Sequence, residues 1–173
     1  SLHDALPILG KVDAVSIVVP TTAHLPVARL FLENGVHVLL EKPIATTVEE
    51  GVAIVAAAER AGVVLQIGQL ERFNAGVMAL AGRIKNPRFI EAHRMSPFVA
   101  RATDVDVISD LMIHDIDIVL SLIDAEISHI SAAGTAVLTD HIDIANARLE
   151  FSNGAVANVI ASRVSRDKMR RIR

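Results

Sequence analysis

The chain has no cysteine, tryptophan or tyrosine, and only 3% of its 173 residues are aromatic. Without cysteine there is no disulfide framework, no thiolate nucleophile and no zinc–thiolate site. The shortage of aromatics argues against a surface that stacks nucleic-acid bases. A net charge of −3 gives no general attraction to nucleic acid or to an anionic membrane. No apolar run approaches the ~20 residues of a membrane span. The opening "SLHDALPILG" lacks the basic start and long apolar core of a secretory signal. Also missing are G-x-S-x-G, a P-loop, H-E-x-x-H and G-x-G-x-x-G. The expectation is a cytoplasmic protein with neither nucleic acid nor membrane as partner.

What is present is a globular composition, 51% apolar and 21% charged. "VDAVSIVVP" (12–20) is a β-branched run that reads as a strand covered on both faces. "TTAHLPVARLFLENG" follows with helical spacing and stops at Gly35. "VHVLLEKP" is a second strand. Thr47 and Glu50 have capping-box spacing at the head of a helix that closes at Gly62, and "VVLQIGQ" is a third strand. Strand, helix, strand, helix, strand with short connections predicts parallel pairing in a doubly wound sheet.

Past Gly68 the rhythm changes. "NAGVMALAGRI" reads as a helix and "RFIEAHRM" as a strand, with a long helix over about 107–123. Strand-like runs follow at 127–137, 142–151 and 155–164, the last two joined at Asn153-Gly154, a hairpin signal. The basic ending "SRVSRDKMRRIR" reads as an edge or solvent-facing strand. The pattern predicts two domains, 9–72 and 73–173. The few parallel strands and the abrupt ends suggest a fragment.

Chemistry has two candidate locations. In open parallel sheets ligands sit beyond the carboxyl ends of the strands. Pro20-Thr21-Thr22, Glu41-Lys42-Pro43 and Gly68-Gln69 all fall at such ends. Taken singly, most of these are ordinary turns. Lys42 differs, because an ammonium just past a buried strand and beside a proline is rigidly aimed. The second location is "SDLMIHDIDIVLSLI", where Asp110, His114, Asp117 and Ser121 share one helix face and Ile108, Met112, Ile116, Val119 and Ile123 the other. At i, i+4 a carboxylate can orient an imidazole for acid–base work. The pattern alone favours a solvated helix face. No second histidine stands at a ligand spacing and Asp115 and Asp117 point to different faces, so no metal site is expected. The remaining histidines, His24 among them, read as structural or surface residues.

Three segments carry a resemblance: "VDAVSIVVPTTAHLPVARLFLENGVHVLLEKPIATTVEEGVAI", "LQIGQLERFN" and "DLMIHDIDIVLSL". Together they resemble the glucose–fructose oxidoreductase / inositol dehydrogenase (Gfo/Idh/MocA) family, with its E-K-P, its "vgxxxRf" segment and its D-x-x-x-H helix. The resemblance runs from about Leu9 to Arg173, leaving "SLHDALPI" outside. It implies the C-terminal half of a Rossmann-type parallel sheet, followed by an α+β domain with an open antiparallel sheet. It also implies an NAD(P)-dependent dehydrogenase acting on a sugar, cyclitol or nucleotide-sugar alcohol. Lys42 and His114 would then be catalytic and Asp110 their associated carboxylate. Pro20, Thr21, His24, Glu41 and Pro43 would line the nicotinamide side of an NAD or NADP site, and Arg72 would stand near cofactor or substrate. Relatives that reduce other carbonyls or cleave glycosides through transient oxidation leave two enzymatic alternatives, and an inactive binding module is a third. The glycine-rich βαβ unit is absent from this sequence, so the chain as it stands is expected to bind NAD(P) poorly and to be inactive. The resemblance further implies a homo-oligomer through the outer face of the antiparallel sheet, with Ala145, Ala147, Leu149 and Val159 as candidate interface residues.

Overall fold

A computed structural model describes residues 8–99 and 105–173, with nothing taken from the side chain of Ala81. The chain divides between Gln69 and Leu70 into two compact units.

In the first unit β1 (Ala14–Ile17), α1 (His24–Leu32), β2 (His37–Leu40), α2 (Val48–Ala61) and β3 (Leu65–Ile67) alternate along the chain. The strands pair in parallel in the order β1-β2-β3. Ile17, Val38 and Leu40 point to one face and bury against Val27, Ala28, Phe31 and Leu32 of α1 and Ile54, Ala57 and Ala58 of α2. The opposite face, with Ser16, Leu39 and Gln66, is exposed. This departs from the expectation of strands covered on both sides. Two crossovers of the same hand, stepping in one direction across the sheet, place both helices on one face.

The helix ends follow local chemistry. Thr47 Oγ1 accepts the Glu50 backbone N–H at 3.2 Å, capping α2. The Glu50 carboxylate reaches back to the N–H and hydroxyl of Thr46 rather than to Thr47, so the box closes one residue early. Those bonds, the Thr46 hydroxyl first, hold the Glu50 carboxyl below its usual range. Gly62 ends α2 at φ +66°, a conformation that costs a side chain.

The second unit begins with a 3₁₀ turn at Leu70–Phe73, then α3 (Ala75–Ala81) and β4 (Phe89–Met95). A π-helical turn at Ile108–Met112 runs directly into α4 (Ile113–Leu122). β5 (Ile127–Thr135), β6 (Ile144–Phe151), β7 (Val156–Ser162) and β8 (Met169–Ile172) complete it. The five-stranded sheet has the order β5-β6-β7-β4-β8, with β8 at an edge. The meander β5-β6-β7 is antiparallel, as is β4–β8, but β4 and β7 pair in parallel, so the sheet is mixed. The long connection through α4 allows that parallel pair.

One expectation is reversed. Ala145, Ala147, Leu149 and Val159 are not on an outer face: all are buried in the core beneath α4, with Ala92, Ala157, Val119 and Ile123. The open face carries their alternates, Asn146 and Arg148 on β6 and Asn158 and Ile160 on β7. Alternation places the more apolar set against the helix. Among the described residues no helix is long and apolar enough to cross a membrane.

Candidate functional site

In the first unit the carboxyl ends of the three strands do lie along one sheet edge, because the strands are parallel and in register from Ala14↔His37 to Leu40↔Ile67. After β1 the chain turns through Pro20 into a 3₁₀ turn, Ala23 N–H donating to Pro20 O at 2.8 Å. After β2 come Glu41, Lys42 and Pro43, all half-buried, with a cis Lys42–Pro43 peptide. After β3 comes Gly68, whose N–H donates to Leu40 O at 2.8 Å. A Cβ at Gly68 would lie 3.2 Å from Glu41 Oε2, so the absent side chain leaves the space that the Glu41 carboxylate covers. Gln69 Oε1, next along, is buried without a hydrogen-bond partner.

His24 has another task than facing a ligand. It is 1% exposed, and its Nδ1 and Nε2 lie 3.2 and 3.1 Å from the carbonyl oxygens of Ile44 and Val19. The ring ties the turn after β1 to the loop after Pro43 from beneath. One arm of that strut reaches Ile44, 20 residues on, which no local pattern reveals.

In the second unit Asp110 sits in the π turn and His114 at the start of α4. Asp106 starts the turn by accepting the Ser109 N–H on its carboxylate at 2.7 Å. Asp110, His114 and Asp117 are half-buried, and only Ser121 of the expected stripe is exposed. A simple solvated face is therefore the wrong description. The π turn also interrupts the regular spacing, a device common at functional sites. A cavity of about 500 Å³ opens beside it, lined by Asp110, Leu111, Ser96, Arg163, Lys168 and Arg170 among others.

Arg72 does not point away from this unit. Its guanidinium forms a two-pronged pair with Asp117, Nε to Oδ2 at 2.9 Å and Nη2 to Oδ1. The Asp117 carboxylate raises its pKa, so it stays cationic. Asp115 is buried against Arg94 of β4. Neither of these ion pairs is visible in the sequence, because each joins residues from separate elements. Among the described residues no group of three metal-ligating side chains is placed to hold an ion.

A parallel sheet with polar turns along its carboxyl edge, followed by a sheet unit whose π turn and helix carry Asp110 and His114, defines a Rossmann-type class of fold, in which ligands sit beyond that edge. Family models narrow that class. Residues 1–69 match the model described as "Oxidoreductase family, NAD-binding Rossmann fold", and residues 66–173 match the Gfo/Idh/MocA C-terminal domain. The chain belongs to the Gfo/Idh/MocA oxidoreductase family. The first match begins at Ser1, so "SLHDALPI" lies within it rather than outside.

The chain is 46% identical over 98% of its length to UDP-N-acetylglucosamine 3-dehydrogenase of Acidithiobacillus ferrooxidans, covering 54% of that protein. A solved structure of that enzyme superposes with a TM-score of 0.91 over 98% of this chain and 56% of its own, at 45% identity. The NAD(+)-dependent scyllo-inositol 2-dehydrogenase of Bacillus subtilis is 30% identical over 89% of this chain and 49% of its own. The chain thus spans about half the length of the curated relatives it matches. At the carboxyl edge of the sheet the buried, unpartnered Gln69 Oε1 is an acceptor that a bound polar group such as a carboxamide would satisfy. No glycine-rich phosphate turn occurs in this sequence.

Proposed function

We propose that the protein carrying this chain oxidises a secondary alcohol of a sugar, cyclitol or nucleotide-linked sugar with NAD or NADP, a nucleotide sugar being the preferred class. The observation that carries this reading is the combination of E-K-P at a sheet's carboxyl edge with a half-buried Asp110–His114 pair on a π–α helix, in a chain of this family. The 46% identity to a UDP-N-acetylglucosamine 3-dehydrogenase supports the nucleotide-sugar preference.

Bound NAD(P)⁺ supplies the hydride acceptor. His114 takes the proton from the substrate hydroxyl as the carbon–hydrogen bond breaks. The Lys42 ammonium stabilises the developing alkoxide oxygen. Asp110, one turn before His114, orients the imidazole. Pro20, Thr21, Glu41 and Pro43 shape the nicotinamide side, with His24 bracing them from below. The setting proposed is the cytoplasm, in keeping with a cysteine-free chain. If the protein is a homo-oligomer, the open sheet face with Asn146, Arg148 and Asn158 is the surface to test.

Replacing Lys42 with Ala in the complete enzyme should lower turnover by about 10²–10⁴-fold while leaving NAD⁺ affinity nearly unchanged. Kinetics with UDP-N-acetylglucosamine, followed by NADH absorbance and paired with calorimetric titration of NAD⁺, decides it. Undiminished turnover removes Lys42 from the mechanism.

A further inference from the structure

The proposed reaction depends on where the His114 ring points, and that depends on what fixes α4. Met112, Val119 and Ile123 bury the helix against the sheet. Such packing is strong but non-directional, and hydrogen-bonded ion pairs add fixed directions to it. The directional contacts flank His114. Asp115 accepts two parallel bonds from Arg94 of β4, Nε to Oδ2 at 2.9 Å and Nη2 to Oδ1 at 2.8 Å. The two side chains are only 3% and 5% exposed. Asp117 takes the fork of Arg72. At about 100° per residue, the two carboxylates leave the helix about 200° apart. The helix is thus held from nearly opposite sides, one anchor in the sheet and one in the 3₁₀ turn.

Glu71 ties the two anchors together. It accepts from Arg94 Nη1 at 3.2 Å and from Arg170 Nη1 at 2.9 Å. Burial pushes the Arg94 pKa down, but its bonds to Asp115 and Glu71 outweigh that and hold it above its usual value. Each Asp115 oxygen accepts one bond from Arg94, so the carboxylate is held in a fixed orientation.

We propose that Arg94 and Asp115 are a positioning pair, setting the rotation of α4 and through it the aim of His114. The proposal rests on the dehydrogenase reading above, in which His114 handles the proton. A buried ion pair is often replaceable by apolar residues without loss of stability. That property separates positioning from mere support, since apolar replacements restore packing but not the two-pronged geometry. Glu71 would keep Arg170 as its partner after such a change.

The test uses the complete enzyme with UDP-N-acetylglucosamine and NAD⁺, in three variants: Asp115→Asn, the double change Arg94→Met with Asp115→Leu, and His114→Asn. For the double variant the expected result is a thermal midpoint near the parent's and KM within about twofold, with kcat lowered about 10- to 100-fold. In ¹³C-histidine-labelled protein the His114 ring signal, assigned by its loss in His114→Asn, should move or broaden. The signals of His129 and His141 should stay. Asp115→Asn, which leaves Arg94 with Glu71 as its one carboxylate partner, should lose both stability and kcat. If the double variant fails to fold, Arg94→Lys carries the same expectation, because an ammonium keeps the charge but not the fork.

A folded variant with kcat within about twofold of the parent and an unmoved His114 signal overturns the proposal. Full NADH production by His114→Asn overturns the reading beneath it instead. The ring signal reports on the pair whether or not this nucleotide sugar is turned over.

Discussion

The two units each leave one sheet face open, and the two faces differ in composition. In the first, the uncovered side exposes Leu39 on β2 at 41%, with Val18 and Val64 on the flanking segments at 73% and 60%. In the second, the uncovered side carries Asn146, Arg148 and Asn158 between a few apolar residues. The difference follows from strand direction. Parallel sheets are ordinarily covered on both sides, so their strands are apolar on both, whereas sheets with antiparallel pairs tolerate one wet face. The first unit's open face sets Leu39 among polar Ser16, His37 and Gln66, while the second's carries a charged side chain, Arg148, between asparagines. Their interiors differ too. The first unit has His24 against two backbone carbonyls, while the second buries the Arg94–Asp115 and Arg163–Asp143 pairs.

The sharpest way to break this contrast uses two neighbours on β2. Leu40 is 0% exposed and Leu39 41%. In the 173-residue chain Leu40→Ala should cost about 2–5 kcal/mol. Leu39→Ala should change stability by no more than about 0.5 kcal/mol. Urea unfolding monitored by circular dichroism measures both. Equal losses would mean that the Leu39 face is covered in solution after all.

Acid tests the polar interior of the second unit. Burial pushes the Asp143 carboxyl up, but Arg163 and the N–H groups of Val137, Thr139 and Leu138 prevail and hold it far below the ordinary carboxylate range. A depressed folded pKa contributes stability that is complete above the unfolded value of about 3.9 and is lost as pH falls below it toward the folded value. Thermal melts between neutral pH and strong acid should show this loss in the parent. Asp143→Asn should be less stable at neutral pH and should lack that acid-dependent component. Parallel pH profiles for the two proteins would detach Asp143 from acid unfolding. The smallest effect expected is at the first unit's helix cap: Thr47→Ala should cost about 1 kcal/mol, read from the same urea curves. No measurable change would mean that Thr46 and Glu50 cap α2 without it.

What could be read along the chain was local. The βαβαβ rhythm, the stops at Gly35 and Gly62, the Asn153-Gly154 hairpin and the E-K-P turn each depend on neighbours within a few residues. The paired faces of β6 were legible as an alternation, but the helix that chooses between them comes from elsewhere. Ala145, Ala147 and Leu149 thus went to the core rather than to the surface first expected of them. Asp110 and His114 were legible as a pair of residue types. Their half-buried setting where a π turn runs into α4 was not, because one extra residue in a turn leaves no mark in composition.

The amino-acid order by itself carried the family and the element types, and it singled out Lys42, Asp110 and His114 as candidates. Each follows from periodicity or a contiguous motif, and such signals act over one or two turns of chain. Tertiary structure alone decided which sheet faces are bare, that His24 braces rather than binds, and that Arg94 and Arg72 grip α4 from opposite sides. Those outcomes join residues 20 to 45 positions apart. A buried charge or ring acquires its partner only when folding removes it from water and leaves one group within reach.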